Sequence, residues 1–381
     1  MPAAAEVLSP ELRHDLEALL RDRFGADTLL GECFPISQRA AITMRAGLTG
    51  TGAPASVFVK HLHHSEYPAA RIFETNVEFA EEMLALQFLE RCPPPEPFRA
   101  GLIAADARGL ILLEDLGPEG HAEMRSFDEL AELVSAPLVI MHTATRGRMD
   151  LYLRLRTAAQ LGEPDADRRR YGKPAQRVRF ALGRDYLLAK SERESADKLQ
   201  RELDAAETEI ESPGEFLAFI HDDLGNARQT FEKDGRLYLL DFEYAKADHC
   251  LMDLCKPTLG KFELSLDTGV YLWTNPNFPP AFAAAYRRRF ENETGVKIDD
   301  ARWNHALGSA FVFHGVALIG RLMHLEPDRQ LLGSVQQNIN GILYRLAEVI
   351  PADNYPTLKG FIERFLRTDV ASIPSLETMA S

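Results

Sequence analysis

The sequence predicts an α+β fold in two lobes, a small antiparallel β-rich lobe followed by a larger, mainly helical one. Three observations carry this reading. Strand-like runs separated by Gly/Thr/Pro turns fill residues 30–62, helical periodicity dominates beyond Gly117, and a single β island interrupts the helical half near residues 215–245. A chain of 381 residues is also longer than one typical core requires, which favours two lobes.

The elements follow in order. "SPELRHDLEALLRDRFG" reads as an amphipathic helix, capped by Ser9, with Pro10 in its first turn and Gly25 at its end. "GECFPISQ", "RAAITMRAG" and "SVFVKHL" are strands, and the turn "LTGTGAPA" supplies the bends that antiparallel pairing needs. In "NVEFAEEMLALQFLE" (76–90), Val77, Phe79, Met83, Leu84, Leu86 and Phe88 form a broad apolar helical stripe, which "CPPPEP" (92–97) terminates because proline lacks the amide hydrogen. A strand pair follows around "FRAGLIAA" and "GLILLEDLG". Helical periodicity then covers 126–146, 148–162, a charged stretch 184–211, and most of 279–367. The β island runs from "EFLAFIH" through "RQTFEKDGRLYLLDFEYA", with Asp234-Gly235 as its hairpin turn. The mixed charges of 191–211 are read as a solvated helix or lid.

Composition excludes several classes. A formal net charge of −14 argues against non-specific nucleic-acid binding, which needs a basic surface. The acidity is spread along the chain, 10 basic against 17 acidic residues up to Gly117 and 33 against 40 beyond it, so charge does not select a substrate. Four cysteines without a C-x-x-C pair provide neither a disulfide framework nor a zinc knuckle. The apolar run 310–320 is too short to span a bilayer, and the opening residues lack the basic start and apolar core of a signal peptide. The expectation is a cytoplasmic protein with no membrane partner; its oligomeric state is open. "HLHH" (61–64) has no complementary ligand cluster and reads as a solvated strand end, while His305, His314 and His324 read as interior or boundary residues of apolar helices.

The chemistry is concentrated in "FIHDDLGNARQTFEKDGRLYLLDFEYA" (219–245). Transfer of a γ-phosphoryl group needs a lysine for the phosphates, a carboxylate to hold it, oxygen ligands for magnesium and a base beside the attacking hydroxyl. Kinases supply these from a strand lysine, a helix glutamate, an H-x-D-L-x-x-x-N loop and a D-F-G turn. This chain offers the same order: Lys60 ending "SVFVK", Glu82 in "EEMLALQFL" with Glu78 one turn earlier, His221-Asp222-Asp223-Leu224, and Asp241-Phe242-Glu243 after the apolar "RLYLL".

With these motifs, residues 30 to 350 resemble the aminoglycoside phosphotransferase-like, or phosphotransferase enzyme, family, relatives of choline and homoserine kinases with a protein-kinase-like fold. "LILLEDLG" (110–117), "IMHTATRG" (140–147) and "LLDFEYAKADHCLMDL" (239–254) add to the likeness. The resemblance implies a nucleotide-binding lobe over 1–113, a hinge at 114–117 and a helical lobe over 118–381 carrying the catalytic loop and substrate site. It implies Asp223 as catalytic base, Lys60 as the phosphate contact and Asp241 as a magnesium ligand, with Glu243 a further metal ligand. Backbone groups of Glu114 and Leu116 would meet adenine, and Asp253 would buttress the catalytic loop. The cofactors implied are ATP, with GTP as the alternative, and Mg2+; the acceptor would be a hydroxylated metabolite, amino alcohol, sugar or aminoglycoside.

Three departures stand out. A plainer turn, "PISQR" with Ser37 and Gln38, occupies the place of a glycine-rich phosphate loop. The family's H-G-D is His221-Asp222-Asp223, which sets a second carboxylate beside the base. The metal-binding asparagine five positions after Asp223 is Arg228, and Asn226 comes two residues early. A guanidinium has donors and no lone pair to offer a cation, so Arg228 would place its charge on the phosphates or on Asp241, and a single magnesium would suffice. The alternatives are that Asn226 reaches in, or that Arg228 pairs with Asp222 and the chain is a pseudokinase, a nucleotide- or partner-binding module without catalysis.

Overall fold

The computed structural model describes residues 8–38, 41–62, 77–106, 109–117, 127–159, 173–224, 229–264, 271–274, 281–323 and 334–368. The chain divides into two compact units: Met1–Glu123 with Leu151–Leu161 and Thr230–Ala245, and Met124–Asp150 with Gly162–Gln229 and Lys246–Ser381.

The first unit is built on a five-stranded antiparallel sheet of β1 (Leu29–Gln38), β2 (Ala41–Thr49), β3 (Ser56–Leu62), β4 (Leu102–Asp106) and β5 (Leu110–Glu114), in the order β1-β2-β3-β5-β4. Side chains alternate across a strand, so each face collects every second residue. Met44, Ala46, Val57, Val59 and Leu112 form one face, and α1 (Pro10–Phe24) lays Leu12, Leu16 and Leu20 on it. Ser9 caps α1 by accepting from the Leu12 N–H at 3.1 Å, and Gly25 ends it at φ 114°. Lys60, one residue out of step with Val59, belongs to the opposite face.

The helix α2 (Val77–Glu90) connects β3 to β4 and packs against the 3-10 turn Phe242–Tyr244. That turn reaches this unit through the hairpin of β7 (Thr230–Lys233) and β8 (Arg236–Leu239), closed by Asp234 and Gly235 at φ 53° and 73°. The Leu239 N–H donates to the Phe98 carbonyl at 2.7 Å, tying β8 to the segment that leads from α2 into β4. The sequence reading placed this hairpin in one β island with β6 (Leu217–Ile220). Instead β6 pairs with β9 (Lys246–His249), so the island is two separate ribbons, each belonging to a different unit.

In the second unit the helices are α3 (Phe127–Thr145), α5 (Lys173–Lys190), α6 (Arg193–Glu211), α7 (Cys255–Leu259), α8 (Ala281–Thr294), α9 (Asp300–Met323), α10 (Val335–Val349) and α11 (Pro356–Thr368), with α4 (Met149–Ala158) leading from it into the first unit. The antiparallel pair β10 (Lys261–Leu264) and β11 (Tyr271–Thr274) was not anticipated. Helix α9 is the hub and packs on α5, α6 and α10. Its contact with α5 depends on Gly183 and Gly320: a Cβ on either would collide with the facing helix's backbone.

The 310–320 run belongs to a 24-residue helix, which is long and apolar enough by length and composition to cross a membrane; 89% of its most apolar stretch is buried within the protein. Of the solvated helix or lid read over 191–211, the helix is present as Arg193–Glu211, but it is not solvated all round, because Leu199, Leu203, Ala206 and Ile210 recur at helical spacing and are buried. His61 is buried rather than solvated, as is His314, whereas His305 is part-exposed; His63, His64 and His324 lie outside the described residues.

Candidate active site

The predicted site residues fall into two groups, one in each unit. In the first, Lys60 projects from β3 and donates to Glu82 Oε2 at 2.6 Å and to Asp241 Oδ1 at 3.1 Å. Of the two glutamates offered by the sequence, Glu82 is the one that meets the lysine; the side chain of Glu78 lies outside the described residues. The neighbouring Glu81 is taken up by Arg156 of α4, which also donates to Tyr152 at 3.1 Å, so α2 is anchored in the rotation that turns Glu82 towards Lys60.

Burial alone would weaken the charge on Lys60. The carboxylates of Glu82, Asp241 and Glu243 outweigh it and raise its pKa above that of a free lysine. The three partners differ in access. The side chains of Lys60 and Glu82 are 11% and 4% exposed, while Asp241 is 49% exposed. The inner pair is therefore fixed in place and the outer carboxylate is open to solvent. Asp241 also holds φ 58°, a left-handed conformation that costs on the order of 1 kcal/mol for a side-chain-bearing residue and concentrates at functional sites.

Asp241 and Glu243 are hard oxygen donors on one short turn, the donor type that suits magnesium. That ion is commonly held by one or two carboxylates plus substrate phosphates rather than by a protein cage. No group of three or more His, Cys, Asp or Glu side chains able to hold a metal occurs among the described residues.

Around the predicted hinge, Asp115 accepts from Arg45 Nε at 2.5 Å, from Ser56 Oγ at 2.6 Å and from the Gly117 N–H at 2.9 Å, which ties the end of β5 to β2 and β3. The Glu114 N–H donates to the Gly101 carbonyl at 2.8 Å, so this amide is already used within the sheet. Leu116 is buried. Ser37 and Gln38 end β1, with side chains outside the described residues.

In the second unit, His221, Asp222, Asp223 and Leu224 follow β6. Asp253 organises their backbone: Oδ2 accepts from the His221 N–H at 2.8 Å and Oδ1 from the Asp222 N–H at 2.7 Å. The His221 ring accepts the Asp223 N–H through Nδ1 at 3.3 Å. Asp223 itself is 18% exposed; Gln229 donates to its Oδ2, and Lys256 Nζ lies 3.6 Å from its Oδ1.

Asp222 stands at φ 54°, where glycine is unstrained and Asp is among the few other residues tolerated. Its carboxylate is 5% exposed and pairs with Lys246, with Lys256 at 3.7 Å, and with the Gln176 amide at 3.4 Å. Burial pushes this carboxyl up, but the two lysines prevail and hold it at about 2.

Asn226 and Arg228 lie outside the described residues. Sequence reasoning assigned no role to Lys246, Lys256, Gln229 or His142. The available signal was Asp222 itself: a carboxylate in place of glycine inside a buried loop requires countercharges.

No family model matches the chain, and no curated protein matches it. Its fold is similar to that of several solved structures. A choline kinase from Cryptosporidium parvum Iowa II is 12% identical with a TM-score of 0.47, covering 93% of this chain and 97% of that one. An ethanolamine kinase from Plasmodium vivax is 11% identical, TM-score 0.46, covering 91% and 88%. An aminoglycoside phosphotransferase from Alicyclobacillus acidocaldarius is 12% identical, TM-score 0.47, covering 96% and 97%. At these identities and TM-scores the likeness assigns no role to any residue here.

Proposed function

We propose that the protein is a small-molecule kinase that transfers the γ-phosphoryl group of ATP to a hydroxyl of an amino alcohol-, sugar- or aminoglycoside-like acceptor. The observation that carries the proposal is the Lys60 triad. A buried ammonium is braced by Glu82 and touches the solvent-open carboxylate of Asp241. This is what a triphosphate requires: a fixed positive charge beside an accessible oxygen ligand.

In this reading Lys60 contacts the nucleotide's phosphates, and Asp241 with Glu243 holds magnesium, which when bound offsets phosphate charge. Asp223 orients the acceptor hydroxyl and takes its proton as the oxygen–phosphorus bond forms. The bond from the γ-phosphorus to the bridging oxygen breaks, and its electron pair leaves with ADP. Asp253 holds the loop so that the carboxylate of Asp223 need not be ordered during the reaction. Arg228 is proposed to supply charge that a second metal would otherwise bring, leaving one essential magnesium.

A thermal-shift titration tests the nucleotide part. Mg-ATP is expected to stabilise the wild type by mass action, and Asp241→Ala to lose that shift while keeping its fold. An undiminished shift in Asp241→Ala rejects the assignment. The pseudokinase reading is favoured instead if Mg-ATP binds and no hydroxylated acceptor elicits ADP release.

A further inference from the structure

The phosphotransfer reading leaves Asp222 and its lysines without a role, and their geometry supplies one. Asp253 and Lys256 are three residues apart, Asp253 in the 3-10 turn Cys250–Leu254 and Lys256 in α7 directly after it. From this one segment, Asp253 accepts the backbone N–H groups of His221 and Asp222, while Lys256 Nζ donates to the Asp222 carbonyl. The same ammonium stands 3.7 Å from Asp222 Oδ1 and 3.6 Å from Asp223 Oδ1. One lysine is thus shared almost equally between the loop's extra carboxylate and the proposed base. The other oxygen of Asp223 accepts from Gln229.

We infer that Lys256 is a positioning residue for Asp223, fixing one carboxylate oxygen as Gln229 fixes the other, and that Asp222 is the countercharge that lets an ammonium stand there. The inference rests on the phosphotransfer reading for what Asp223 does, but the pairing itself does not. Three features support it. Lys256 is only 17% exposed, so its head is held and not waving in solvent. Burial disfavours its charge, yet Asp222, Asp223 and Asp253 together outweigh that and raise its pKa, so it stays an ammonium.

Finally, Asp222 occupies a left-handed position, and what it adds there over glycine is a negative charge between Lys246 and Lys256. Without it, Lys256 would pair with Asp223 alone and bind the base more tightly. With it, the ammonium is divided between two carboxylates, and Asp223 is oriented without being fully committed. Lys246, which binds Asp222 and lies 3.7 Å from Asp248, completes the neutralisation from the opposite side.

The test combines kinetics with a readout that needs no turnover. Lys256→Met is expected to lower kcat by about 10- to 100-fold, the scale of a misplaced reacting group, with the Mg-ATP Kd within about twofold of wild type. Lys256→Arg should recover part of the loss. In parallel, the Tm losses of Lys256→Met and Asp223→Asn should sum to more than the loss of the double variant, because the two singles remove one shared interaction.

Should Lys256→Met fail to fold, Asp222→Gly/Lys256→Met is measured in its place. It removes the buried carboxylate with the lysine and puts glycine at the left-handed position. An unchanged kcat in a folded Lys256 variant, or strictly additive Tm losses, overturns the inference. Non-additive Tm losses in a protein that phosphorylates nothing would leave the pairing standing and discard the phosphotransfer reading.

Discussion

His142 Nε2 lies 3.0 Å from Asp253 Oδ2, and both side chains are fully buried. Because an ionised carboxylate has no proton to give, the imidazole donates this bond, while its Nδ1 meets the Tyr286 hydroxyl at 2.7 Å. Asp253 therefore serves three donors at once, one from α3 and two from the backbone of the loop carrying Asp223.

Asp253→Asn replaces one acceptor oxygen by a donor that faces N–H groups. Each buried donor left unsatisfied costs about 1–3 kcal/mol, so a clear drop in Tm is expected, with kcat falling by on the order of 10²-fold. Mg-ATP affinity should be retained, since Lys60, Glu82 and Asp241 belong to the other unit. A variant that loses nucleotide binding and turnover in equal measure would contradict this division of labour.

The Lys60–Glu82 pair gives a second expectation. Breaking a buried ion pair from one side costs up to about 3–5 kcal/mol, and less here because Lys60 keeps Asp241 at 3.1 Å when Glu82 is lost. Glu82→Leu should thus destabilise the protein more than Lys60→Met/Glu82→Leu does, and neither should bind Mg-ATP with wild-type affinity. Denaturant unfolding together with calorimetric titration of both variants checks this.

Much of the fold was legible because its signals are local. Ser9, Pro10 and Gly25 mark the ends of α1, Asp234-Gly235 marks a hairpin, and the apolar stripe of 77–88 marks α2. Pairing between distant segments was not legible. Nothing in "EFLAFIH" states that β6 joins β9 rather than the adjacent hairpin, and β9, Lys246-Ala247-Asp248-His249, has no apolar run to mark it as a strand. The same limit applies to the site. Lys60, Glu82 and Asp241 were read from motif order, whereas Lys256 and Gln229 act through distances that no spacing encodes. The charged run 191–211 misled because its exposed face dominates the composition and hides four buried positions.

Stability should fall on the acid side through His314. Its Nε2 lies 3.0 Å from the Gly260 carbonyl, and burial lowers its pKa from the ordinary 6.5 to about 4. Between those values the unfolded chain binds a proton that the folded chain refuses. The histidine's contribution is therefore complete above pH 6.5 and declines as pH falls towards 4, by about 3 kcal/mol in all. His249, also held down by burial, acts in the same direction. A Tm-against-pH curve for His314→Asn should be shallower than wild type over this window; parallel curves would exclude His314 as a source.

Gly183 and Gly320 set how closely α5 and α9 approach. A Cβ at Gly183 would run into the Val316 carbonyl, and one at Gly320 into the Arg179 carbonyl, both rigid backbone. Gly183→Ala and Gly320→Ala should each lower stability by about 1–3 kcal/mol or more, although alanine has the higher helix propensity. Wild-type Tm in either variant would show that the helices can move apart freely.

The most direct test of the central claim is acceptor-dependent ADP release at saturating Mg-ATP, compared between wild type and Asp223→Asn across a panel of hydroxylated metabolites. At least one acceptor is expected to stimulate ADP release by the wild type. Asp223→Asn should reduce this rate by about 10²-fold or more while binding Mg-ATP as tightly as wild type. An equal rate in Asp223→Asn, or no stimulation of the wild type by any acceptor, would contradict it.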